Sequence, residues 1–105
     1  MASARATEAY GNLVIEFLQE SGVTESGSGL AIHGKIFAFP EADDLVIELP
    51  LPRATDLVRR GQAERFSTPS HPSRDWVRVG DLQLWPELTR EAHEFVGEPP
   101  VGDDS

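Results

Sequence analysis

The residues best suited to chemistry are three histidines, at positions 33, 71 and 93, and a loop in which Ser67, Ser70 and Ser73 surround His71 with Asp75 close by. A serine nucleophile needs a base and an orienting carboxylate at hydrogen-bond distance, and neighbours along one extended loop seldom converge that way. No nucleophile elbow accompanies them. The histidines fall in a turn, a proline-rich loop and a helix, with no i, i+4 pair. The chain has no cysteine, which excludes disulfides, thiolate metal sites and cysteine nucleophiles. Glu91 and His93, two apart on a helix, do not face each other. All three histidines are expected to be exposed and to ligate nothing. Gly27-Ser-Gly29 has the composition of a phosphate-binding loop, but a helix precedes it and a strand follows, the reverse of what such loops need. It reads as a linker. No catalytic, cofactor-binding or metal-ligating residue is assigned, no cofactor is expected, and the chain is read as not an enzyme.

The segment Arg74-Asp-Trp-Val-Arg78 is the candidate partner-binding surface. Strand alternation puts Arg74, Trp76 and Arg78 on one face and Asp75, Val77 and Val79 on the other. A tryptophan between two arginines suits stacking or an anion-bearing partner. The competing reading places Trp76 in the core with the arginines extended over it.

Charge narrows the partners. The net charge is −9 over 105 residues, which argues against a general nucleic-acid binder, since phosphates must be met by clustered Lys and Arg. The distribution is uneven. Residues 51–80 carry six arginines against three carboxylates, a net of +3 that leaves −12 on the rest. No window approaches the ~20 apolar residues of a membrane span, and the N-terminus lacks the apolar core of a signal peptide. A cytoplasmic location and no membrane partner are expected.

The elements that must position these residues follow from periodicity. Tyr10, Leu13, Val14, Phe17 and Leu18 form the stripe of an amphipathic helix. Gly22 is expected as its left-handed C-terminal residue, with Val23 returning onto Leu18 in a Schellman motif. Thr24 to Gly29 then reads as a flexible connector. Three antiparallel strands follow at about 29–33, 35–39 and 45–49, with His33-Gly34 as a two-residue turn. Apolar residues on both faces of the second, Ile36 and Ala38 against Phe37 and Phe39, mark it as central. Pro52 opens a helix buried through Ala54, Leu57 and Val58 and ended by Gly61. Residues 63–67 read as a short strand and 75–79 as another. Pro86 opens a last helix that turns Leu88, Ala92, Phe95 and Val96 inward. Residues 1–97 make one domain, and 98–105 an acidic, disordered tail. The fold class expected is α+β: a two-layer sandwich of an antiparallel sheet with helices on one face, in the order α-β-β-β-α-β-β-α.

Gly34-Lys-Ile-Phe-Ala38, Leu45-Val-Ile-Glu-Leu-Pro50, Leu57-Val-Arg-Arg-Gly61, Arg74-Asp-Trp-Val77 and Trp85-Pro-Glu-Leu88 running to Glu94-Phe-Val96 together resemble the N-terminal domain of the TfoX/Sxy family, and more distantly the MmcQ/YjbR group. The likeness covers about residues 29–97. It implies a secretion-chaperone-like α/β fold of order α-β3-α-β2-α. Two-domain members are associated with regulation of natural competence, whereas small stand-alone proteins of this type mostly have no assigned role. The chain departs from the pattern at Ser26-Gly-Ser-Gly29, where the family has Met-Phe-Gly, and at Ser70-His-Pro-Ser73, where it has Gly-Arg-Pro-Met. The expectation is a non-enzymatic protein-interaction or regulatory domain. It would meet a protein partner, or itself as a homodimer, through the open sheet face or an edge strand. The alternatives are a nucleic-acid accessory using the Arg-rich segment 53–78, and an enzyme or ligand binder for which no small molecule is identifiable.

Overall fold

The hairpin read from residues 34–50 is the centre of the sheet. The computed structural model describes residues 3–26, 29–66 and 76–97. In it β3 (Lys35–Glu41) lies between β2 (Gly29–Ile32) and β4 (Asp44–Glu48), antiparallel to both. The β2–β3 turn is made by His33 and Gly34, with φ of 52° and 84°, the two left-handed positions of a type I′ turn whose twist matches its strands. The sheet is completed by β1 (Val23–Ser26), β5 (Glu64–Arg65) and β6 (Trp76–Val79), in the spatial order β1-β2-β3-β4-β6-β5. Every pairing is antiparallel. Three helices, α1 (Ala4–Phe17), α2 (Leu51–Arg59) and α3 (Trp85–Gly97), accompany it, with a short 3-10 turn over Leu82–Leu84. Over the described residues the fold is α+β, an open six-stranded antiparallel sheet with three helices. No helix among the described residues is long and apolar enough to cross a membrane.

Two expectations at the N-terminal end are corrected. Thr24–Ser26, read as the start of a flexible connector, form the edge strand β1 together with Val23, which lies opposite Ile32, while Glu25 lies opposite Leu30. The sheet therefore has one strand more than the sequence suggests. An edge strand pairs on one side only and solvates its outward side chains, so a polar run with one buried residue suffices; that residue is Val23. The Schellman motif also moves. Helix α1 ends at Leu18, and Val23 joins the core while Leu18 stays 45% exposed. The motif is found instead at the end of α2, where Gln62 N–H donates to Leu57 C=O at 2.9 Å and Gly61 N–H to Val58 C=O at 3.1 Å.

Alternation fails inside β3. Leu30 pairs with Ala38, but Ala31 pairs with Ile36, so Phe37 is an extra residue on β3, a bulge. Phe37 and Ala38 consequently both enter the helix-side core, and Phe39 goes to the opposite face, not with Phe37 as period two requires. The core face is filled by Leu30, Ile32, Leu45, Ile47, Val77 and Val79 from the strands, and by Leu13, Phe17, Ala54, Leu57, Leu88 and Ala92 from the helices. Trp85 is buried with them, its indole Nε1 donating to the Val79 carbonyl at 3.0 Å.

Helix α3 lies over β2, β3 and β4, and arginines tie the other helices to it. Arg53 of α2 grips Glu91 in a fork, Nε to Oε1 at 2.9 Å and Nη2 to Oε2 at 3.1 Å. Arg90 of α3 reaches Glu16 of α1 at 2.8 Å and lies 5.1 Å above the Phe17 ring. Pairs as exposed as these contribute about 1 kcal/mol or less each. A fully buried leucine or phenylalanine contributes about 1.5–3 kcal/mol. Packing holds the helices down, and the arginines set their azimuth.

Two backbone positions and one side chain yield predictions. Gly29 has φ of 146°, and a Cβ there would run into Ala38 O and come within 2.6 Å of Phe39 Cβ. Gly29→Ala should destabilise by about 2 kcal/mol or more. Ala42, first residue of the β3–β4 turn, sits at φ 53°, where a glycine is preferred, so Ala42→Gly should stabilise by about 0.5–1 kcal/mol. Urea denaturation of the two variants reads both signs. Burial, and secondarily the charge of Glu25, push the Tyr10 phenol from 10.0 up to about 12. The folded state therefore holds this proton more tightly than the unfolded chain. The stability it contributes is complete below pH 10 and lost as pH rises toward 12. Tyr10 is the single tyrosine, so absorbance titration should show its midpoint directly, and Tyr10→Phe should flatten the alkaline slope of stability.

Candidate functional site

Strand β6 brings the predicted surface residues to the sheet face away from the helices. Cross-strand partners share a face: Trp76 opposes Glu48, Arg78 opposes Val46, and Val46 also opposes Phe39. Trp76 and Arg78 thus stand on one face and Val77 and Val79 on the other, as alternation requires. Arg74 lies outside the described residues, as do His71, Ser67, Ser70, Ser73, Asp75 and the tail.

Trp76 is 5% exposed. Its ring centroid lies 5.6 Å from that of Phe39 with the planes tilted by 53°, and Phe39 in turn meets Phe66 edge-on at 5.7 Å. Phe66 is positioned by β5, its N–H donating to the Trp76 carbonyl at 3.0 Å. Ile36, Phe39 and Phe66 are half-buried, and Ala31 and Val46 are buried without belonging to the helix-side core. The buried residues of all three helices belong to the core on the opposite side. The far face is therefore an aromatic cluster in its own right. Edge-to-face rings at these distances contribute about 0.5–1.5 kcal/mol each beyond the area they bury. Sequence reasoning found Trp76 and Arg78 by alternation but missed Phe39 and Phe66 as their partners. The bulge reverses Phe39, and Phe66 joins through a two-residue strand.

Arg78 borders this cluster, its Nε 2.8 Å from Asp44 Oδ2. The contact is an ion pair without the alignment of a hydrogen bond. Beyond it opens a cleft of about 370 Å3 with Glu64 and Asp81 on its walls. A second cleft of about 370 Å3 continues past Gly80 and Asp81 to Asp43 and Ser3. Three of their four carboxylates have structural duties. Asp44 holds Arg78, Asp81 caps the 3-10 turn by accepting from Gln83 N–H at 3.0 Å, and Asp43 accepts from Ser3 N–H at the start of α1. Among the described residues no group of three or more potential ligands is placed to hold a metal ion.

The expected exposure is seen at His33, in its turn, and is corrected for His93. The His93 ring lies between Phe17 and Phe37, at centroid distances of 5.8 and 5.7 Å, and both its nitrogens are buried without a hydrogen-bond partner. Its position on α3, one residue past the buried Ala92, turns it toward the aromatic edge of the core. The imidazole serves there as a third ring, between two phenylalanines.

No family model, curated protein or solved structure matches this chain. Deleting a large buried aromatic should cost far more than breaking a half-exposed pair. Trp76→Ala should destabilise by about 3 kcal/mol or more, and Asp44→Ala by less than about 1 kcal/mol. Chemical denaturation of the two variants should show them separated by that margin.

Proposed function

We propose that the chain is a non-enzymatic protein-interaction domain with a regulatory role, meeting its protein partner on the sheet face that carries Phe39, Phe66 and Trp76. The observation that carries this is the aromatic cluster on the face opposite the helices, with a charged rim at Arg78, Asp44 and Glu48. Interfaces concentrate binding energy in aromatic anchors at the centre of a patch and keep polar groups at its edge. Phe39, Phe66 and Ile36 retain exposed surface for a partner to cover, and Trp76 backs them as a rigid floor. On this reading the strands and helices form a two-layer, secretion-chaperone-like sandwich of the TfoX N-terminal kind, with β1 added at one edge.

The nucleic-acid reading has less behind it. Arg53 is taken up by Glu91, Glu87 and Asp56, Arg60 by Asp56, and Arg78 by Asp44. A cation already paired within the chain releases few counterions from a phosphate backbone. The enzyme reading would need a cleft with uncommitted acid–base groups, and three of the four cleft carboxylates, Asp43, Asp44 and Asp81, are engaged elsewhere.

The test is photo-cross-linking in cells. Benzoylphenylalanine placed at Phe66 should trap a discrete adduct, and the same residue at the exposed Glu94 of α3 should trap none. Adduct mass separates another protein from a second copy. No adduct at position 66, or equal capture at 94, would remove the reading. Salt-sensitive DNA or RNA binding abolished by Arg78→Ala would replace it with the nucleic-acid one.

A further inference from the structure

Register sorts the charges of the sheet as it sorts the apolar residues. Glu41 stands opposite Asp44, Glu48 opposite Trp76, and Glu64 opposite Arg78. Cross-strand partners share a face, and period two carries Glu41 with Phe39, Glu48 with Val46, and Glu64 with Phe66. All four carboxylates of β3 to β6 therefore stand on the aromatic side. Lys35 and Arg65 lie opposite the core residues Ile32 and Val77, on the helix side. Among the described residues of these strands, Arg78 is the one cation on the aromatic face, and Asp44 holds it at 2.8 Å. The face has a net charge of −3, and its Glu41 and Glu64 are exposed. Like charges directly opposite, as Glu41 and Asp44 are, cost stability in the isolated protein. An incoming cation relieves that cost.

We propose that the partner met by this face is a different, basic protein, which lays an apolar side chain on Phe39, Phe66 and Trp76 and an arginine or lysine beside it, two residues away in an extended segment. The inference rests on the sheet-face reading and adds the partner's chemistry to it. Glu64 is two residues from Phe66 on β5, and Arg78 two from Trp76 on β6, so rings and charges are set about 6–7 Å apart. That distance is also the repeat of side chains along one side of an extended partner. The cleft of about 370 Å3 opens at the same place, with Asp44, Glu64 and Asp81 against Arg78 on its walls, a net of −2. A guanidinium or ammonium group is attracted by the ring faces it crosses and by the carboxylates beyond them. Complementary charge steers such a partner in and rejects a wrong one. A second copy of this chain is a wrong one, since it would bring a face of −3 against another, on chains of −9 each.

The probes are three synthetic glycine-serine peptides. One carries Phe and Arg two residues apart, the second Phe and Glu, and the third Arg alone. Binding is followed by heteronuclear NMR through the two tryptophan indoles. The Phe–Arg peptide should shift the Trp76 signal and leave that of Trp85, whose indole is bonded to the Val79 carbonyl in the core. The other two peptides at the same concentration should move neither. Glu41→Gln combined with Glu64→Gln should weaken the Phe–Arg complex by about fivefold or more. Glu8→Gln combined with Glu94→Gln removes the same charge from the helices and should leave it unchanged. All four sites are exposed, so folding is spared. No response at Trp76, equal binding of the Phe–Glu or the Arg-only peptide, or equal loss in the two double variants would overturn the proposal. Cross-linking at position 66 separates its failure from that of the reading beneath it. An adduct undiminished by Glu41→Gln with Glu64→Gln, or one with the mass of two copies, would sink the basic partner and keep the sheet face. No adduct in the otherwise unaltered chain would end both.

Discussion

The seating of α3 on β2, β3 and β4 is the contact on which the rest of this structure depends. Trp85, Leu88 and Ala92 are buried there, and a Cβ at Gly97 would lie 2.6 Å from Ile32 Cδ1, so the far end of the helix sits directly on the sheet. One hydrogen bond, from the Trp85 indole to the Val79 carbonyl, joins the end of the last strand to the first residue of the last helix. Its net contribution is about 1 kcal/mol, less than the burial of the ring that makes it. Its value is directional, since it fixes where the helix begins after the 3-10 turn. Helices α1 and α2 then take their places on either side through Glu16 and Arg53. An element near the end of the described chain thus organises one at its beginning.

That arrangement gives the sheet two unlike faces. One is covered by helices; the other gathers Phe39, Phe66 and Trp76. The division is made by one residue of register. Without the bulge at Phe37, strict alternation would set Phe37 and Phe39 on the same side and deprive one face of an aromatic. With it, Phe37 meets Phe17 and His93 in the core, and Phe39 lies across Gly29 on the far side, where only a residue without a side chain can sit beneath it.

Local features were legible in the sequence and non-local ones were not. The His33-Gly34 turn, the start of α2 at Pro52 and the shared face of Trp76 and Arg78 all follow from neighbours in the chain. β1 was missed because Thr24, Glu25 and Ser26 have the composition of a loop and become a strand only through their pairing with Leu30 and Ala31. The bulge carries no signature in the order Ile36-Phe-Ala-Phe39. The ties Arg53–Glu91 and Arg90–Glu16 join residues too far apart for any spacing rule. The far-face cluster needed β6 to lie beside β4, a pairing that skips α2 and β5. His93 misled because polarity and a helical position suggest exposure, whereas its neighbours are aromatic.

The ion pairs also change what the composition says about partners. A net charge of −9 with nine cations would allow basic patches if the cations were free. Arg53, Arg60, Arg78 and Arg90 instead neutralise carboxylates of their own chain. With eighteen carboxylates against nine cations, the net outward field is acidic. Against such a field, surface without charge is where a partner can approach with least desolvation of ions.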